Sequence, residues 1–152
     1  MKKNVNFREI SVHDTPDRSP GFLLWHISTT WRSSIETILR PIGLTHPQFV
    51  VLATLGWLTR KGDLVTQAAI GKMAGLDPNT TSQIIKGLEQ KEFIKREQSS
   101  DGRAKNPTLT IRGHEILTQA LPAVETMDAK FFSRLNKKEA ELMIRIFQKL
   151  IH

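Results

Sequence analysis

The chain has 152 residues, 39% of them hydrophobic and 24% charged, a length that supports one core burying about 70% of the unfolded surface. It has no cysteine, which excludes disulfides, zinc-thiolate sites and thiol redox sensing. Its five histidines, His13, His26, His46, His114 and His152, lack the close pairing of a metal site, so neither metal nor cofactor is expected.

In chain order, residues 1–18 mix charges with Asn6, His13, Asp14, Pro16 and Asp17 without sustained periodicity, and read as a flexible N-terminal arm. Met1-Lys2-Lys3-Asn4 lacks the apolar stretch of a signal peptide, so a cytoplasmic location is expected. Ser19-Pro20 has the form of a helix cap and first residue. Leu24, Ile27, Trp31, Ile35 and Ile38 then recur at spacings of three and four, the seam of a long packed helix that ends at Arg40-Pro41. A polar stripe, His26, Thr30, Ser33 and Thr37, runs beside that seam. Residues 41–59 carry no formal charge, yet Pro41, Gly43, Thr45, His46, Pro47 and Gln48 interrupt them. The run falls well short of the ~20 apolar residues of a membrane span, and no membrane partner is expected.

Thr45 and Gln48 have the spacing of a capping box, predicting a helix through Phe49, Leu52, Leu55 and Leu58 that Arg60-Lys61-Gly62-Asp63 breaks. Thr66 caps a shorter helix ending near Gly75, and Gly71 within it predicts a close approach to a neighbouring helix. After the short link Gly75-Leu76-Asp77, Asp77 caps and Pro78 starts the next helix. Ile84, Ile85 and Leu88 give it an apolar face, leaving Gln83, Lys86 and Gln90 for a partner. Two short helices so joined form a helix-turn-helix. Asn79, Thr80, Thr81, Ser82 and Gln83 at the second helix's start are candidates for base or phosphate contact, although small polar residues also suit local capping.

Beyond Phe93 the pattern alternates, with Ile94, Leu109 and Ile111 facing one way, so two short strands are expected. Their connection contains the Asp101-Gly102 turn signal and carries Arg103 and Lys105 at a cationic tip suited to a phosphate-lined groove. Residues 77–112 hold seven Lys or Arg against five acids, two of the net +7, so the placement of cations says more about a polyanionic partner than their total. After Gly113, Ile116, Leu117, Ala120, Val124, Met127, Phe131 and Leu135 make a long apolar pattern in which Pro122 is expected to kink the helix. Asn136 and Glu139 form a second capping box and open a last helix with Met143, Ile146, Phe147 and Leu150 on one face. The terminal helices carry more apolar surface than a reader at 44–112 can cover, and a second copy of the chain is the economical partner.

The segment Asp101-Gly102-Arg103 with Leu109-Thr110 and Gly113, following a capped helix and flanked by long helices, resembles the wing signature of the MarR family of bacterial transcription regulators. The resemblance implies a mostly α fold with a small β-hairpin wing. Its winged helix-turn-helix (44–112) would be flanked by dimerisation helices at 19–43 and 113–152. It further implies a homodimeric regulator, expected to be a repressor, that binds a pseudo-palindromic double-stranded operator. Asn79, Thr80, Thr81, Ser82, Gln83, Lys86, Arg103 and Lys105 would meet the DNA. A small aromatic anionic effector is also implied, with His26, Thr30, Trp31, Phe49 and Ala53 as candidate contacts, although Trp31 and Phe49 equally suit a core. The chain departs from the family at Glu92, where glycine is common, and a glutamate there has to accept a left-handed or adjusted backbone. No nucleophile elbow, phosphate loop or paired histidine organises catalysis, so an enzyme is not expected. A winged helix that binds protein instead of DNA is the alternative that the fold permits.

Overall fold

The computed structural model describes residues 4–98 and 105–152. The chain divides into two compact units, 1–34 and 35–152. The described part of the first unit holds helix α1 (Phe7–Ile10), a single 3-10 turn at Pro16–Arg18 and most of α2 (Pro20–Leu39). The segment read as an arm thus contains two short helical turns, the first carrying a side-chain bond in which Asn6 Nδ2 donates to Glu9 Oε1 at 2.6 Å, yet every residue from 4 to 18 is exposed. Ser19 Oγ accepts the Phe22 amide at 3.4 Å, the cap that Ser19-Pro20 predicts.

The second unit contains the end of α2, then α3 (His46–Thr59), α4 (Gln67–Ala74), α5 (Pro78–Gln90), strands β1 (Ile94–Gln98) and β2 (Lys105–Leu109), α6 (Ile111–Phe131) and α7 (Lys137–Ile151). Its core is built from Ile35, Leu39, Leu44, Phe49, Val51, Leu52, Leu55, Ile70, Ile85, Leu88, Phe93, Ile94, Ala120 and Val124. α3 is its hub, touching α4, α5, β2 and α6. Both capping boxes form: Thr45 exchanges bonds with Gln48 at the head of α3, and Asn136 with Glu139 at the head of α7. α6 runs unbroken through Pro122, whose carbonyl accepts the Thr126 hydroxyl at 2.8 Å.

The strands pair antiparallel from Ile94 opposite Leu109 to Gln98 opposite Lys105. Ile111, read from alternation as a strand residue, is instead the first residue of α6 and is 80% exposed. Thr110 is the cause, because its hydroxyl oxygen accepts the Gly113 amide at 2.9 Å and starts the helix two residues earlier than the apolar pattern suggests. No helix among the described residues is long and apolar enough to cross a membrane.

Candidate nucleic-acid interface

Local chemistry fixes the two helices that make the interface. Thr66 Oγ1 accepts the Ala69 amide at 3.2 Å and starts α4, while Gly75, left-handed at φ +68°, ends it and lets the Leu76 amide reach back to the Gly71 carbonyl at 2.9 Å. Asp77 follows at once: its Oδ1 accepts the Thr80 amide at 2.9 Å and its Oδ2 the Thr80 hydroxyl at 2.5 Å. These bonds, the Thr80 hydroxyl's foremost, hold the Asp77 carboxyl below its ordinary 3.8. The charged cap also complements the positive end of α5.

The crossing of α4 and α5 is set at Gly71, as its position in the sequence predicts. A Cβ there would lie 2.6 Å from Thr81 Oγ1, so only glycine allows the two helices this approach. The same contact corrects the role expected of Thr81, which is 1% exposed and donates its hydroxyl to the Asp77 carbonyl at 2.8 Å. Thr81 is a packing residue of the helix crossing, and its side chain does not reach the outer face. Ile85 and Leu88 are buried with it.

At about 100° per residue, Asn79, Gln83, Lys86 and Gln90 form a stripe on the opposite side of α5, and all four are exposed. Ser82 stands half-buried on one flank; Thr80, also half-buried, has its hydroxyl committed to Asp77. α5 is thus apolar inward and polar outward, with amide and ammonium donors spaced along three turns.

Of the wing residues expected at the groove, Lys105 opens β2 opposite Gln98. Arg103 and the Asp101-Gly102 turn lie outside the described residues. Several cations near the wing serve other ends that spacing did not reveal. Lys91 Nζ donates to the Gly43 carbonyl at 2.8 Å and to Gln48 Oε1 at 2.7 Å, tying the end of α5 to the head of α3. Arg96 Nε lies 3.0 Å from Glu89 Oε1, Lys95 Nζ 2.5 Å from Glu97 Oε1 and Arg112 Nη1 2.5 Å from Glu92 Oε2.

The residues nominated for an effector are shared between the units, with His26, Thr30 and Trp31 in the first and Phe49 and Ala53 in the second. His26 is exposed and stacked on Phe22 at 5.9 Å, while Thr30 donates its hydroxyl to the His26 carbonyl at 2.9 Å, a local reason for a polar residue at that place. Trp31 is half-buried, Phe49 is buried in the core and Ala53 is half-buried. An open cleft of about 490 Å³ in the second unit, lined by Glu36, Arg40, Gly43, Leu44, Thr45 and Lys91, includes none of the five.

Comparison with known proteins places this geometry. A family model described as the MarR family matches residues 44–105. The chain is 37% identical over 125 residues to the "Uncharacterized HTH-type transcriptional regulator YdcH" of Bacillus subtilis, a match covering 82% of this chain and 85% of the relative. It is 29% identical over 135 residues to the HTH-type transcriptional repressor Rv2887 of Mycobacterium tuberculosis, covering 88% of this chain and 94% of that protein. The crystal structure of Rv2887 in complex with DNA matches with a TM-score of 0.65 at 25% identity, over 88% of this chain and 98% of that one. Its complex with salicylic acid matches with a TM-score of 0.66 at 26% identity, over 90% and 99%. The S. aureus MepR–DNA complex shares the fold, with a TM-score of 0.79 at 23% identity over 90% of this chain and 97% of that one. The chain belongs to the MarR family of winged helix-turn-helix transcriptional regulators, DNA-binding proteins and not enzymes.

Proposed function

We propose that the chain represses transcription as a homodimer that occupies a pseudo-palindromic operator and leaves it when a small aromatic anion binds. The observation that carries the reading is the outer face of α5, where Asn79, Gln83 and Lys86 stand exposed on a helix whose opposite side is locked into the core. Such a face fits a major groove, with Asn79, Ser82 and Gln83 toward base edges and Lys86 toward phosphate. Thr80 meets the duplex only through what its bond to Asp77 leaves free. Arg103 enters the adjacent minor groove and Lys105 meets the backbone beside it.

Two further features support the reading. Leu142, Ile146, Phe147 and Leu150 are exposed along α7, an apolar stripe that a second copy would cover. A two-fold dimer sets its half-sites about one helical turn apart. The relative Rv2887 is named a repressor and has been solved with DNA and with salicylic acid, which supports repression and an aromatic carboxylate effector.

The test is a titration of a duplex, selected by the protein from random sequence, at several salt concentrations, alongside sedimentation. A dimer whose log affinity falls linearly with log salt and whose affinity exceeds that for scrambled duplex fits the proposal. A monomer at micromolar concentration, with or without DNA, overturns it.

A further inference from the structure

Glu92 combines two properties that pull against each other. Its φ is +60°, the only left-handed non-glycine backbone among the described residues, at the joint where α5 gives way to β1. A side chain disfavours that conformation, so it persists only where neighbours determine it. Three neighbours do so here. The Glu92 amide donates to the Glu89 carbonyl at 2.9 Å. The Glu92 carbonyl accepts the Thr110 hydroxyl at 2.6 Å. Its carboxylate pairs with Arg112 Nη1 at 2.5 Å, and that guanidinium also stands 5.7 Å from the centre of the Phe93 ring.

Thr110 and Arg112 belong to the cap and first turn of α6. The Thr110 amide donates to the Phe93 carbonyl at 3.1 Å, and a Cβ on Gly113 would lie 2.0 Å from that carbonyl oxygen. The joint between reading helix and wing is therefore seated on the start of α6. The Glu92–Arg112 pair is exposed at 74% and 61%, a setting in which ion pairs add little to stability. Its effect is on geometry: the backbone angles at residues 92 and 93 set the direction in which β1 leaves α5, and the pair ties those residues to α6.

We propose that Glu92 is a positioning residue whose ion pair with Arg112 fixes the angle of the wing relative to α5 and α6. The inference rests on the DNA-reading role of the wing, so its test includes one measurement without DNA. Glu92→Gln keeps the backbone demand and removes the charge, Glu92→Gly removes both, and the exchange Glu92→Arg with Arg112→Glu restores a pair of opposite polarity. The direction of the β1 and β2 amides relative to those of α6 is read by residual dipolar couplings. Affinity is read on the selected duplex, and wing contact by hydroxyl-radical footprinting.

Glu92→Gln and Arg112→Gln should melt close to wild type yet turn the strand amides and lose the wing footprint. Their affinity should fall by roughly 5- to 10-fold, the low end of losing a groove contact. The exchanged pair should recover angle, footprint and affinity. Unaltered couplings in Glu92→Gln, or altered couplings with wild-type footprint and affinity, overturn the proposal. Altered couplings in a chain whose wild type binds no duplex would uphold the joint and overturn the operator reading instead.

Discussion

Gly113 is the position where one methyl group would do most damage. Its added Cβ would lie 2.0 Å from the Phe93 carbonyl oxygen, a backbone atom that cannot turn aside, so Gly113→Ala must push α6 away from the joint between α5 and β1. We expect a loss of about 3 kcal/mol or more in urea unfolding, beyond the usual range for overpacking because backbone has to move. Gly71→Ala meets a side-chain atom instead, Thr81 Oγ1, which its bond to the Asp77 carbonyl holds in place. The gain in helix propensity is about 1 kcal/mol, and a net loss of about 1 to 2 kcal/mol is expected once overpacking is included. Asp77 gives a different signature. Its folded pKa is lowered by the Thr80 bonds, so its contribution is fully present above the ordinary 3.8 and is lost as pH falls through the folded value. Asparagine also caps helices but does not titrate in this range. Asp77→Asn should therefore melt near wild type under acid, and the lead of wild type over the variant should open as pH rises through about 4. A constant difference between the two melting curves at every pH would remove the carboxylate from the cap.

Elements whose signals lie within three or four residues were legible in the sequence. The caps at Ser19, Thr45, Thr66, Asp77 and Asn136 all form because each is a bond between a side chain and an amide three residues on. Thr81 was misread because polarity suggests an outer face, while its burial depends on a crossing with Gly71 ten residues away and on a hydroxyl that Asp77 satisfies. Lys91 enters the sequence reading only as one of the seven Lys or Arg of residues 77–112, because its partner carbonyl lies 48 residues back in the chain. Ile111 followed the strand alternation until the Thr110 cap overrode it. The face of α5 now yields a contrast between variants. Lys86→Ala should weaken binding to every duplex and lower the salt slope by about one. Thr81→Ser should keep operator affinity within about twofold, since a methyl group buried away from the groove makes no base contact. Arg103→Ala should lose about 1 to 3 kcal/mol on the selected operator. Equal losses in Lys86→Ala and Thr81→Ser would mean that α5 presents a different side to DNA.

At the scale of the whole molecule, both units leave apolar side chains in water: Phe22, Leu23, Leu24, Trp25 and Ile27 in the first, Leu142, Ile146, Phe147 and Leu150 in the second. The sequence made this surplus visible as periodicity without enough reader surface to cover it. α7 has no buried residue, so Ile146→Lys with Phe147→Lys should leave the fold intact and yield a monomer by sedimentation. In the proposed switch, an aromatic anion held near His26 and Trp31 changes the separation or mobility of the two reading heads. Coupling between two sites is reciprocal, so an anion that releases DNA must itself bind the DNA-free dimer more tightly, by the same factor. A coupling of about 1 to 3 kcal/mol corresponds to roughly 5- to 150-fold in each direction. The measurement is calorimetry of salicylate against the dimer, with and without saturating operator, repeated on His26→Ala. Salicylate should bind the free dimer the more tightly, and His26→Ala should weaken that binding without altering operator affinity in its absence. Equal salicylate affinity in both states would mean that the anion occupies the dimer without shifting it, because a ligand moves an equilibrium only by its differential affinity for the two states.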